Sequence, residues 1–290
     1  MRPARILFGL TQMNVEQQLT HMVEEEMAAG RLILPTLPEV ALAIDAIIGR
    51  EDVDVARVAR EISKDPATSA RLLAAANSVA MRGAGKAADH LVMAVTRLGL
   101  PLTRVLVNRI AMEQMFCARS ASLNQIMKKT WTRSLETAAL SRVLAQQYTK
   151  LNPETAMLAG LIHLVGVLPI IRLLDQHHQG GNESLHNEET IFKLQAGIGQ
   201  LVLKLWKLPD ELAQIPNIAG RFSYSHDHQA EYGDVLNVAI IELNHMNLHS
   251  DLDRAQIPAY QQLGIRADAD VLKIQKVQDA YKQSLEMLTG

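Results

Sequence analysis

Apolar residues recur at helical spacing along almost the whole chain, and the runs are cut by Pro, Gly and capping side chains rather than broken into alternating strand patterns. Val55, Val58, Ala59 and Ile62 fall at i, i+3, i+4 and i+7, with Asp54 just upstream as an oxygen able to cap the orphan amides of a helix start. Asp65-Pro66 begins the next helix. Asp can cap, Pro at the first helical position gives up no hydrogen bond, and the series runs through Leu72, Leu73 and Ala76 to Asn77. Leu37-Pro38 opens a helix carrying Val40, Ile44, Ile47 and Ile48 on one side. Asp89 to Leu98 forms another that stops at Gly99, suited to a left-handed C-cap, and Pro101 starts one through Leu102, Val105 and Leu106.

A second series follows: Leu123 to Tyr148, Glu154 to about Leu174, Glu188 to Trp206, Pro209 to Ile218, Tyr232 to about Met246, and Ala269 to Leu288. No strand run interrupts it. The stretch from Asp175 to Asn182 is rich in Gly, Gln and His and reads as an exposed loop, extending to Glu188. An aromatic content of only 4%, with many Ala, Leu and Met, favours helix packed on helix. The expected fold class is therefore all-α. At 290 residues the chain can bury a full core, as one large domain or as two helical layers.

Lys plus Arg number 29 against 31 acidic residues, so the net charge of -2 supplies no general attraction for nucleic acid or anionic lipid. Cys117 is alone and cannot form an intramolecular disulfide, which suits a reducing, cytoplasmic setting; it reads as a small core residue. Near the start, Ile6 to Leu10 is too short for a signal segment. Thr155 to Ile171 carries no Asp, Glu, Lys or Arg over 17 residues, yet it falls short of the roughly 20 apolar residues of a membrane span and reads as a buried core helix.

Several segments at consistent spacing carry a resemblance: Leu34-Pro35-Thr36-Leu37-Pro38, Ile62 to Leu73 around Asp65-Pro66, Ala76-Asn77-Ser78, Ala94 to Gly99, Trp131, Ala159-Gly160-Leu161-Ile162-His163 and Leu205-Trp206-Lys207-Leu208-Pro209. In these the chain resembles the HDOD family of bacterial signalling modules, relatives of the HD phosphohydrolases. The resemblance implies a multi-helix bundle in which an N-terminal helical part, residues 34–120, packs on a degenerate HD-like helical part, residues 121–245. Helical extensions, residues 1–33 and 246–290, flank them. Read bottom-up, Pro35, Pro38, Asp65, Pro66, Asn77, Ser78, Gly99, Trp131, Gly160, Trp206 and Pro209 are structural devices, among them helix starts, a cap and a helix end, with Asn77 and Ser78 able to bond nearby backbone.

The HD relatives hold divalent metals with spaced His residues, a His-Asp pair and a further Asp on facing helices. Such ions polarise a phosphoryl oxygen and activate water, which needs several convergent N and O ligands. Aligned on the Trp131 helix, the first His position holds Arg133, whose fixed cation opposes a metal ion. The His-Asp pair becomes His163-Leu164. Gln195, ahead of Gly199, stands for another His, and the last Asp falls near Ile240, with Glu242 as a displaced carboxylate candidate. His163 is the one metal candidate left, and on an apolar helix it reads first as a satisfied core residue. No catalytic residue and no cofactor is assigned. His177-His178 read as solvated loop residues, while His226-Asp227-His228 could coordinate metal only if extended and joined by a carboxylate from elsewhere.

The expected function is thus a non-catalytic regulatory or scaffold module of bacterial signal transduction, with a signalling protein as partner, room for a small regulatory ligand, a homodimer compatible with the class, and no membrane. The alternatives are a metal-dependent phosphohydrolase and a helix-turn-helix DNA binder built on Val58 to Leu73. The composition argues against nucleic acid, since Arg71 is the one base in the would-be recognition helix from Pro66 to Asn77.

Overall fold

The computed structural model describes residues 14–50, 53–83, 85–177, 185–244 and 252–289, and among them there is helix but no strand. Its N-terminal helix α1 (Val15–Ala28) is closed by a reciprocal cap: Asn14 Oδ1 accepts from the Gln17 amide at 2.8 Å, and Gln17 Oε1 accepts from the Asn14 amide at 3.1 Å. There follow α2 (Glu39–Ile48), α3 (Val55–Ile62), α4 (Pro66–Ala76), α5 (Val79–Arg82), α6 (Leu91–Leu98) and α7 (Leu100–Glu113). Beyond them run α8 (Ala121–Tyr148), α9 (Pro153–Ile162), α10 (Val167–His177), α11 (Glu188–Leu205), α12 (Asp210–Ala213), α13 (Ile215–Ile218), α14 (Tyr232–Leu243), α15 (Pro258–Gln262) and α16 (Gln275–Thr289).

The Asp65 cap forms as its sequence context predicts. One carboxylate oxygen accepts from the Ala67 and Thr68 amides at 3.0 and 3.4 Å, and the other from the Thr68 hydroxyl at 2.7 Å. Asn77 reaches farther than a local turn. Its amide nitrogen donates to Ala88 O at 2.8 Å, and its oxygen accepts from the Ala88 amide at 2.7 Å and from Arg97 at 3.2 Å, so it clamps the segment between α5 and α6. Ser78, by contrast, sits at the start of α5 without a side-chain cap bond, and its buried hydroxyl finds no partner among the described residues. Gly99 has φ +75° but ψ 158°, an extended rather than left-handed helical pair; it turns α6 directly into α7, with their axes 111° apart. Cys117 is exposed, not part of the core, because it follows the end of α7 in the link to α8.

Helix α8, 28 residues and therefore about 42 Å long, is the axis against which α9, α10, α14 and α16 pack. Its face carries Ser134, Thr137, Ala138, Ser141 and Ala145, all buried and small, and there α9 approaches closely. A Cβ on Gly160 would lie 2.5 Å from the Ala138 Cα.

The single helix expected from Glu154 to Leu174 is divided. Residues 163–166 form turns between α9 and α10, carried by short-range bonds from Val165 to Ile162 O and from Val167 to Leu164 O. Two features coincide with the break. Pro169 has no N–H to continue an unbroken ladder, and Gly166 must press on α11, where a Cβ would stand 2.0 Å from Gln195 O. Pro209 to Ile218 is likewise two short helices, with Pro216 at the start of the second. Helix α14 ends at Leu243 through Asn244 at φ 41°; Met246 lies outside the described residues, as do His178 and the centre of the expected loop, residues 178–184. The last helix starts at Gln275, not Ala269.

One hydrophobic core draws on both expected halves, from Leu19, Ile44 and Val58 through Leu106 to Leu161, Ile198 and Leu212. Trp206 ties them further, its indole nitrogen donating to Pro35 O at 2.9 Å. Trp131 packs at the core edge with its ring 5.0 Å from Phe116. The run Pro153–Gln176 is apolar enough to cross a membrane by length and composition, but 94% of its most apolar window is buried inside the fold, as expected of a core helix. A second core joins α8 and α14 to the C-terminal segment. At its centre Glu242, 1% exposed, accepts from Tyr260 Oη at 2.5 Å and lies 3.2 Å from Arg254 Nη1. Burial, then this carboxylate, pushes the Tyr260 hydroxyl up, so it remains a donor.

Replacing Gly160 by Ala should cost about 1–3 kcal/mol or more, since backbone rather than a flexible side chain fills the space. Gly197→Ala in α11, where a Cβ meets nothing within 4 Å, should instead stabilise by about 1 kcal/mol; urea titration of both variants checks the pair.

Asp65→Ala should lose about 0.5–2 kcal/mol at neutral pH. The Thr68 hydroxyl first, then the Thr68 and Ala67 amides, hold the Asp65 carboxyl below its ordinary value of 3.8. That contribution is complete above the ordinary value and disappears as pH falls through the lowered one, so the thermal midpoints of wild type and variant should converge in acid.

Candidate functional site

Five positions that the sequence sets far apart meet around one cavity of about 410 Å³: Arg133, His163, Leu164, Gln195 and Ile240. Helix α8 contributes Arg133 and, one turn on, Thr137. The turn after α9 supplies His163 and Leu164, and α11 supplies Glu189, Phe192, Lys193, Gln195 and Ala196. Asn217 of α13, the segment Ala219 to Arg221 and Ile240 of α14 complete the wall. The close approach at Gly160 lays the end of α9 against α8, and the missing Cβ of Gly166 lets the same turn reach α11.

His163 is 3% exposed and terminates α9, its Nδ1 2.6 Å from Gly160 O. A carbonyl can only accept, so Nδ1 carries the hydrogen of this bond. Arg133 lines the same cavity. Its guanidinium lies 2.6 Å from Glu188 Oε1 and 5.0 Å from the centre of the Phe192 ring. Glu188 also meets Lys129 at 3.4 Å, while Glu189 pairs with Lys193 at 3.0 Å. The loop wall is held by Asn237, which accepts from the Gly220 amide at 2.9 Å and donates to Arg221 O at 3.4 Å, and Asn217 donates to Gln200 at 2.8 Å.

These residues do not fit a di-metal centre. One imidazole shares the cavity with a guanidinium, an alkyl side chain, a carboxamide and Ile240, and Glu188 and Glu189 are already paired with Lys and Arg. No group of three His, Cys, Asp or Glu suited to a metal ion occurs among the described residues. Glu242 is not a displaced ligand. It faces Tyr260, Arg254 and the Val271 amide in the second core, because two residues along α14 from Ile240 is a different face of a helix.

His226 takes a partner the sequence left unidentified: its Nε2 is 2.9 Å from Asp234 Oδ2, on the first turn of α14, and its ring lies 6.1 Å from His228. Asp227 is exposed and makes no part of that pair. Thr137, Glu188 and Phe192 escaped the sequence reading, although i+4 spacing from Arg133 and i−3 spacing from Gln195 place Thr137 and Phe192 on the cavity faces of their helices.

The HDOD domain profile matches residues 34–219. The chain belongs to the HDOD family. Its architecture is similar to that of a protein from Shewanella amazonensis SB2B named "Putative metal-dependent phosphohydrolase", at 28% identity and TM-score 0.81, over 95% of this chain and 100% of that one. An HDOD domain protein with unknown function from Geobacter sulfurreducens shares the fold at 21% identity and TM-score 0.67, covering 95% and 99%. A protein from Marinobacter aquaeolei VT8 named "Putative signal transduction protein" does so at 18% identity and TM-score 0.66, covering 96% and 67%. No curated protein matches the chain.

Glu188→Ala should destabilise by about 1–3 kcal/mol, because it leaves the Arg133 charge in a largely buried wall without its carboxylate. Arg133→Met together with Glu188→Met should recover most of that loss in chemical denaturation, since both charges then go at once.

Proposed function

We propose that this HDOD protein is a non-catalytic regulatory module of bacterial signal transduction, working through binding rather than turnover. The observation that carries the reading is that the cavity lined by His163 and Leu164 is lined by Arg133 as well, its guanidinium paired with Glu188. A fixed cation, held by Glu188, raises the cost of bringing a divalent ion to the one imidazole lining the cavity, and no group of three His, Cys, Asp or Glu suited to a metal ion occurs among the described residues. The fold of a hydrolase can persist without its chemistry. In this reading the helices of residues 34–116 present the surface met by a signalling protein in the cytoplasm, and the cavity is free to serve a small regulator.

Phosphohydrolysis is the second reading, favoured by the printed name of the Shewanella amazonensis neighbour at 28% identity. Against DNA binding stands the pairing of Arg71, the sole base of α4, with Glu113 of α7 at 2.6 Å.

Protein purified without added metal should hold Mn, Fe and Ni far below one equivalent by elemental analysis. Any residual hydrolysis of bis(p-nitrophenyl) phosphate should be the same in His163→Ala as in wild type. Stoichiometric metal together with hydrolysis abolished in His163→Ala would falsify the non-catalytic reading.

A further inference from the structure

One apolar run of the sequence takes no part in the helical core described above: Ile6-Leu7-Phe8-Gly9-Leu10, which lies outside the described residues. The chain enters the described structure at Asn14, where the reciprocal cap with Gln17 ends α1. Two residues on, Glu16 lies 3.5 Å from Lys193, and Lys193, itself half exposed, lines the cavity beside His163. The start of α1 is thus tied to the opening of that cavity. From Glu16 back to Leu10 an extended chain reaches about 20 Å, and back to Phe8 about 27 Å, so the apolar run is within easy reach of the opening.

The cavity has the character that such an occupant needs. Leu164, Phe192, Ala196 and Ile240 give its wall an apolar surface, which an aromatic or aliphatic side chain would take out of water. Leu201 and Leu205, exposed farther along α11, offer only the convex face of a helix. A short tether also holds the run at an effective concentration on the order of millimolar, so a contact too weak to persist between separate molecules can persist within one chain.

We infer that residues 6–10 of this chain dock in the cavity beside His163 and close it, with Phe8 as the anchor. A small regulator of the same cavity then competes with the chain's own segment. The inference goes beyond the regulatory reading and does not depend on it, because the cavity and the segment are the same whether or not the protein turns over a substrate.

Disulfide trapping in the full chain tests it. In a Cys117→Ser background, Phe8→Cys combined with Ala196→Cys in the cavity wall should form an intrachain disulfide under diamide about tenfold faster than Phe8→Cys combined with Gln283→Cys on the exposed side of α16. Thermal melting gives a second readout without new cysteines. Phe8→Asp should lower the midpoint of the wild type and leave that of Ala196→Trp unchanged, because the introduced indole fills the space that Phe8 takes. If Ala196→Trp does not fold, the trapping rates decide alone. Equal trapping at positions 196 and 283 overturns the proposal, and so does fastest trapping with Leu205→Cys, which would move the segment to the outer face of α11. Disulfides formed only between chains would give the cavity to a second copy and overturn docking within one chain. A Phe8→Asp shift of the same size with and without Ala196→Trp would likewise sink it. Each of these outcomes leaves the non-catalytic reading to the metal and hydrolysis measurements above.

Discussion

Everything at the candidate site depends on two helices meeting where there is no room for a side chain. Gly160 brings α9 onto the backbone of α8 at Ala138, and Ser134, Thr137, Ser141 and Ala145 keep that face small enough for the contact to extend. The cost is visible in the hydroxyls of Ser134, Thr137 and Ser141, which are buried without partners among the described residues. Dense packing of this kind resists adjustment, so the end of α9 is held in one place. That place is the wall of the cavity that His163 and Arg133 both line.

The second constraint is electrostatic. Arg133, Glu188 and Lys129 form one group of paired charges beside the cavity and Glu189 with Lys193 another, and a guanidinium over the Phe192 ring adds a contact that an ammonium or an imidazole would make less well. Glu136, on the same turn of α8, has its carboxyl pushed up by burial, which outweighs the opposing pull of Arg133. A site that needed a dication would gain from free carboxylates here. Glu188 and Glu189 are instead paired with cations of the protein's own.

Several polar residues outside the cavity act at junctions. Asn77 and Arg97 bind the link between α5 and α6, Trp206 binds Pro35 across the two parts of the chain, and Glu242 binds the C-terminal segment through Tyr260, Arg254 and the Val271 amide. Each is a buried or part-buried polar group whose bonds span many residues of sequence. Such bonds add specificity to an otherwise non-directional core, because an alternative packing would leave the same groups unpaired.

The sequence by itself determined the helices and most of their starts. Those properties are local: an Asp before a Pro, an apolar period of 3.6. What only the tertiary structure decided was where the long apolar run breaks, which carboxylate answers His226, that Cys117 is exposed, and that Glu242 faces away from His163 while Thr137 and Phe192 face the same space as Gln195. The break at residues 163–166 follows from Gly166 meeting the backbone of α11, some thirty residues away, and the His226–Asp234 pair forms across a loop. Periodicity says which face of a helix is apolar; it does not say which other helix that face will meet, and the cavity exists only once those faces have met.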